Sequence, residues 1–232
     1  MIVGSSIHIE QGNFKLKDLS FSIETGEYAC LIGQTGTGKT TILEAICGLK
    51  SVKGGVFNLD GKDITNLKPS ERHVGFVPQD GALFETMTVS ENISFALKIR
   101  KWSHADRVKR AEELADLLSI GHLLGRKPEN LSGGEKQRVA LGRALSFYPK
   151  IICLDEPMSA LDDQTKMDLY GLINDIRKEL TLTALHITHN IEEVEQLADK
   201  VLYLKDGLLS TYSKTSFLEK KNELIFNKST VG

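Results

Sequence analysis

An α/β core, built on a mixed sheet with helices on both faces and interrupted by a helical subdomain, is predicted by three features of this 232-residue chain. Apolar strand-like runs alternate with helix-period segments up to about residue 80 and again from about residue 147, the pattern of strands joined by crossover helices. Between these stretches the main periodicity is helical. Short segments of period-two alternation near the N-terminus add an antiparallel β edge.

In chain order, Ile7–Glu10, Phe14–Lys17 and Leu19–Ile23 alternate apolar and polar residues and predict short strands. Tyr28–Ile32 is a continuous apolar strand, and Lys39–Leu49 reads as a helix. Val56–Leu59 followed by Asp60-Gly61 predicts a strand and a turn, and Val74–Val77 a short strand ending at Pro78-Gln79. From Gly81 onward the pattern is helical, with main segments Val89–Arg100, Ala105–Leu118 and Gly133–Phe147, and Pro128 marks the loop before the last. Ile151–Asp155, Thr183–Thr188 and Val201–Leu204 then read as strands, and Asp162–Leu180 and Ile191–Ala198 as helices. After Leu208 an edge strand and a short helix over Ser216–Leu224 precede a polar end. The expectation is one domain over 1–232, with its core at about 1–80 and 147–215 and a helical subdomain at about 81–146. A short tail over 216–232 follows, with no separate C-terminal regulatory domain.

Composition excludes several classes. A hydrophobic content of 41% and a charged content of 26% are those of an ordinary globular protein. The formal charge of −2 argues against a broad nucleic-acid-binding surface. No apolar run approaches the roughly 20 residues that span a bilayer, and the N-terminus lacks the shape of a signal peptide, so a cytoplasmic chain is expected. Cys30, Cys47 and Cys153 all fall in apolar runs without a CxxC partner and read as buried, reduced thiols.

Three motifs carry chemistry. Gly33-Gln34-Thr35-Gly36-Thr37-Gly38-Lys39-Thr40 matches G-x-x-x-x-G-K-[ST] between a predicted strand and a predicted helix, the context a phosphate loop requires. Its glycines, among them Gly33, Gly36 and Gly38, let backbone N–H groups wrap phosphates. Thr37 and Thr41 belong to the same binding stretch. Lys39 should reach the β- and γ-phosphates, and the Thr40 hydroxyl should ligate Mg²⁺. Ile151–Glu156 supplies a buried strand that ends in two carboxylates: Asp155 is placed to hold Mg²⁺, and Glu156 to orient and deprotonate an attacking water.

Residues 131–138, Leu-Ser-Gly-Gly-Glu-Lys-Gln-Arg, form a capping box between Ser132 and Glu135 at the start of a helix. Gly133 and Gly134 leave the first N–H groups of that helix uncovered, which makes a second anion site. Glu135, reaching back to the Ser132 backbone, reads as structural.

Taken together, these motifs resemble those of the ATP-binding cassette (ABC) ATPases, and the remaining family pieces fall in order over about residues 7–210. Gln79 follows a strand, Ser159-Ala160-Leu161-Asp162 follows the carboxylates, and His189 follows the next strand. The resemblance implies a P-loop NTPase core (RecA-like), MgATP as substrate, and a head-to-tail dimer with a second cassette, a homodimer being expected with a different partner cassette as the alternative. Ser132 and Gly134 of one subunit would meet the γ-phosphate held by the other, with Gly133 between them and Asp162 at the seam. His189 is similar to the switch histidine and Gln79 to the glutamine that senses Mg²⁺ and water, whereas His186 within its strand reads as a core histidine. Phe14 stands near the place of an adenine-stacking aromatic, and packing inward beside Leu16 suits it as well.

Glu71–Asn92, Ile120–Asn130 and Asp155–Asp162 resemble importer ATPases, especially those for molybdate, tungstate and sulfate. That implies transmembrane permease subunits engaged through coupling helices, an extracytoplasmic substrate-binding protein, and a place on the inner face of the cell membrane. Thiamine-type importers also use short cassettes. A lipoprotein-release exporter shares the Leu-Ser-Gly-Gly-Glu signature but not Met158-Ser159-Ala160. Soluble ABC ATPases of repair type insert long coiled coils that Gly81–Asn130 cannot hold. Leu83 and Phe84 suit either an exposed groove for the permease or packing within the subdomain.

Overall fold

The computed structural model describes residues 1–12 and 14–226; the last part of the polar C-terminal end lies outside them. Two sheets organise the chain. The smaller has the order β2-β1-β4-β5 and is antiparallel. It comprises β1 (Ile2–Gln11), β2 (Phe14–Ile23), β4 (Gly54–Leu59) and β5 (Lys62–Asp63). The larger has the order β10-β9-β3-β8-β7-β6. Its strands β3 (Tyr28–Gly33), β6 (Val74–Val77), β7 (Ile151–Asp155), β8 (Ala184–Ile187) and β9 (Lys200–Lys205) run parallel. Only β10 (Leu208–Ser213) is antiparallel, against β9.

The two strands expected over Phe14–Lys17 and Leu19–Ile23 are one. Asp18 adopts φ 53° within β2, and the pairing with β1 shifts register around Ile7, so a kink rather than a break interrupts the alternation. The helix expected from Lys39 closes earlier than Leu49: α1 (Lys39–Cys47) ends at Gly48, which takes the left-handed C-terminal position. α1 lies between the sheets, and Ile42, Leu43 and Ile46 bury there with Ile7, Leu16, Phe57 and Ile187.

The inserted region contains α2 (Val89–Ile99), α3 (His104–Leu117) and α4 (Gly133–Leu145). The stretch before α2, residues 81–88, is not helical. Its backbone groups are met by side chains instead. The Arg143 guanidinium donates to the carbonyls of Ala82 and Gly81 at 2.6 and 2.7 Å. Buried Asn92 accepts from the Phe84 N–H at 2.8 Å and donates to the Phe84 and Thr88 carbonyls. Side chains of α2–α4 such as Ile93, Leu114 and Val139 share one apolar cluster with Tyr28, Cys30 and Leu154 of the large sheet.

The second half continues with α5 (Asp163–Leu180), α6 (Ile191–Leu197) and α7 (Lys214–Lys221), which runs on into a wider turn over Asn222–Phe226. Cys30, Cys47 and Cys153 are free and buried, as expected. Among the described residues, no helix is long and apolar enough to cross a membrane.

Candidate functional site

The parallel strands β3, β7 and β8 end on one side, and in such sheets the crevice beyond the carboxyl ends is where ligands bind. A cavity of about 710 Å³ opens there. It is lined by Phe14, Gly33, Gly36, Gly38, Lys39, Thr40, Thr41, Gln79, Glu156 and His189. Ten residues singled out from the sequence are thus brought together by segments far apart in the chain.

The loop after β3 is shaped for a compact polyanion. Gly38 takes φ 101°, and a Cβ there would lie 2.3 Å from the Phe14 ring. Lys39 is 6% exposed, and its ammonium donates to the carbonyl oxygens of Gly33 and Gln34 at 2.8 and 2.9 Å. Burial lowers its pKa, and the nearby Glu156 and Asp155 push it back up. The Thr37 hydroxyl donates to the Gln34 carbonyl at 2.8 Å and braces the loop without lining the cavity.

Two oxygen donors sit at the root of the loop. The Thr40 hydroxyl donates to Asp155 Oδ1 at 3.3 Å. Asp155 is buried at the end of β7; burial raises its pKa, the Thr40 hydrogen bond lowers it, and Glu156 raises it further. Hydroxyl and carboxylate oxygens are hard ligands suited to Mg²⁺, which takes few protein ligands and completes its shell with phosphate oxygens and water. Among the described residues no cluster of three or more His, Cys, Asp or Glu could hold a metal by itself. The donor set therefore fits Mg²⁺ only together with a phosphate ligand.

Glu156 takes φ 45°, a left-handed conformation uncommon outside glycine. Its N–H donates to the Ile187 carbonyl at 3.0 Å, which ties that turn to β8. Its carboxylate Oε2 lies 3.3 Å from His189 Nδ1, and the imidazole is 64% exposed toward the opening.

The remaining group stands apart. Ser132 caps α4 by accepting from the Glu135 N–H at 3.3 Å, and the Glu135 carboxylate accepts from the Ser132 N–H at 2.7 Å. Those hydrogen bonds from Ser132 hold the Glu135 carboxyl below its usual range. A Cβ on Gly133 would meet the Leu161 side chain, and one on Gly134 the Thr165 methyl at 2.5 Å. Asp162 caps α5 through the Thr165 N–H at 3.0 Å, so the starts of α4 and α5 lie side by side. None of Ser132, Gly133, Gly134 and Asp162 lines the cavity.

Gln11, Ile32 and Tyr203 also line the cavity and were not singled out from the sequence. They come from strand ends whose side chains carry no motif, and only the tertiary fold brings them to the loop. Phe84 combines both expectations for it: it is 37% exposed, and its ring packs on Phe95 at 4.4 Å between centroids. Leu83 is partly buried against the main apolar cluster.

Comparison with known proteins places this arrangement. A family profile described as ABC transporter matches residues 16–159. The molybdate/tungstate import ATP-binding protein WtpC of Thermococcus kodakarensis is 46% identical over 84% of the chain and 59% of its own length. The WtpC protein of Archaeoglobus fulgidus is 44% identical over 84% of the chain and 80% of its own length. The sulfate/thiosulfate import ATP-binding protein CysA of Nocardia farcinica is 39% identical over 89% of the chain and 63% of its own length. The chain spans about three-fifths of the length of several of these relatives. Among solved structures, the dimeric post-hydrolysis state of the ATP-binding cassette MJ0796, bound to ADP and Pi, matches with a TM-score of 0.80. It is 30% identical, and the match covers 92% of this chain and 99% of that one. The chain belongs to the ABC transporter family.

Proposed function

We propose that the chain is the ATP-hydrolysing subunit of an importer, acting as a dimer of cassettes on the inner face of a membrane and driving a separate permease. One observation carries the reading. Lys39, Thr40 and the Glu156–His189 pair line one cavity at the carboxyl ends of parallel strands, and Asp155 is hydrogen-bonded to Thr40 at its edge.

In this reading the loop amides and Lys39 bind the β- and γ-phosphates, and Phe14 lies against the base. Thr40 and Asp155 would hold Mg²⁺, with Gln79 nearby on the cavity wall; bound there, the ion would offset phosphate charge. Glu156 accepts a proton from the attacking water, whose oxygen bonds to the γ-phosphorus as the bridge to the β-phosphate breaks. His189 faces the γ-phosphate and keeps Glu156 aimed. Ser132, Gly133 and Gly134 begin a helix with uncovered amides away from this cavity, so a second copy brought head to tail would complete each site, with Asp162 at the seam.

The permease would dock beside Gln79 on the helical subdomain at about 81–146. Within the subdomain a recess of about 180 Å³ is lined by Met87, Phe95 and Val108 together with Glu91, Lys98 and Arg107. That mix of apolar and charged side chains suits an amphipathic coupling helix. The relatives named for molybdate, tungstate and sulfate make a small inorganic oxyanion the favoured cargo, delivered by an extracytoplasmic binding protein. Glu156→Gln is expected to keep MgATP binding and to lose hydrolysis by about 10²–10⁴-fold, the range for a general base. Normal turnover by this variant would remove Glu156 from that role.

A further inference from the structure

Behind the cavity, three buried polar side chains form a chain that the hydrolysis described above does not use. The Tyr28 hydroxyl on β3 lies 3.0 Å from His186 Nδ1 on β8, and His186 Nε2 lies 3.1 Å from Glu193 Oε2 on α6. Tyr28 and His186 are fully buried and Glu193 is 3% exposed. The second contact is short but off the line of a good hydrogen bond, and neither atom has another partner. Each therefore depends on the other, since a buried carboxylate without a partner is costly.

The protonation pattern is constrained. Burial pushes the Tyr28 phenol up, so it stays protonated and can donate. With Tyr28 donating to Nδ1, the imidazole carries its proton on Nε2, facing the carboxylate. Burial pushes the Glu193 carboxyl up as well, and His186, Thr188 and His189 together bring it below its usual value.

This chain spans the turn that carries His189. His186 lies on the strand just before that turn, and Glu193 on the helix just after it, with Thr188, His189 and Asn190 between. The Thr188 hydroxyl accepts from the Asn190 N–H and the Asn190 side chain from the Glu192 N–H, both at 2.9 Å. α6 has seven residues, too few to hold its own orientation without tertiary anchors. At the apex of the turn His189 reaches Glu156.

We propose that Glu193, seated on His186 and Tyr28, is a positioning residue: it clamps the strand-to-helix turn and so fixes His189 against Glu156 at the reacting phosphate. This rests on the ATPase reading above. Glu193→Ala should lower kcat about ten-fold while KM for MgATP changes less than about two-fold, the pattern of a misaimed catalytic group in an intact binding site. Glu193→Gln keeps an acceptor opposite Nε2 and should recover kcat to within about three-fold of the parent. A second readout uses nucleotide-free protein: amide hydrogen exchange over residues 188–191 should speed up in Glu193→Ala and not in Glu193→Gln, with the phosphate loop unchanged. Unchanged exchange at 188–191 in Glu193→Ala overturns the clamp, as does an equal loss of kcat in both variants with a parallel fall in Tm. A parent protein that fails to turn over MgATP sinks the ATPase reading instead, and the exchange measurement still decides the clamp.

Discussion

Gly33 has no room for a methyl group. A Cβ there would lie 2.4 Å from the Leu204 carbonyl oxygen, a backbone atom that cannot swing aside. Gly33→Ala should therefore push β3 from β9 directly beneath the phosphate loop, at a cost of about 1–3 kcal/mol. Thermal unfolding would register the loss, and nucleotide affinity should fall with it. The glycine was legible as part of a motif, but the reason for it lies in a strand some 170 residues away. Asp155 runs the other way. Burial raises its pKa above the unfolded value, so ionising it costs the folded chain stability as pH rises through the carboxylate range. Asp155→Asn should raise Tm in nucleotide-free protein and abolish the extra stabilisation that Mg²⁺ gives in the presence of ATP. A lower Tm in the variant would show that Asp155 is a structural anchor. Glu135 was readable from spacing alone because a capping box is local. Its carboxyl is held below its usual value, so the stability it supplies is present above about pH 4.3 and lost as pH falls through the folded value. Glu135→Gln should flatten that part of the acid limb of a Tm–pH curve and leave ATPase activity near the parent level; a many-fold rise in activity would mean that its charge faces the nucleotide.

Among the elements, the segment over residues 81–88 depends on tertiary partners most visibly. Helical periodicity continues through it in the sequence, yet it is a loop, because Asn92 and Arg143 satisfy its backbone groups from outside. Periodicity reports which side chains are apolar and is silent on distant side chains that replace a helix's own hydrogen bonds. The kink at Asp18 was hidden for a related reason: one residue at φ 53° resets the alternation and mimics a strand end. By contrast α4 begins where the Ser132–Glu135 capping box read from the sequence placed it, and the structure shows Thr88 and Asp162 capping α2 and α5 just as locally, since a cap acts within four residues. Asn92→Ala would leave the Phe84 N–H and carbonyl without their side-chain partner. It should cost about 1–3 kcal/mol and speed hydrogen exchange across residues 81–87, while exchange in β3 and β7 stays slow. Under the proposed importer function, the same variant should weaken stimulation of hydrolysis by a permease more than basal turnover.

On the scale of the whole molecule, the two groups of residues proposed to bind phosphate do not meet within one chain. The cavity is lined by the loop after β3, Gln79, Glu156 and His189, with Asp155 reached through its hydrogen bond from Thr40, while Ser132, Gly133, Gly134 and Asp162 lie away from it. Family membership was legible from motifs in order, and the cavity followed from strand order; what no local pattern could supply was the separation between the two groups. Under the proposed shared-site dimer each chain supplies half of two sites, so specific ATPase activity should rise with protein concentration until dimers saturate. The most direct measurement is the mass of Glu156→Gln in solution with and without MgATP, read by light scattering or sedimentation. A shift from monomer to dimer on adding MgATP, absent in Glu156→Gln that also carries Ser132→Arg, is the expected result. A protein that stays monomeric while nucleotide is demonstrably bound would contradict the shared-site account.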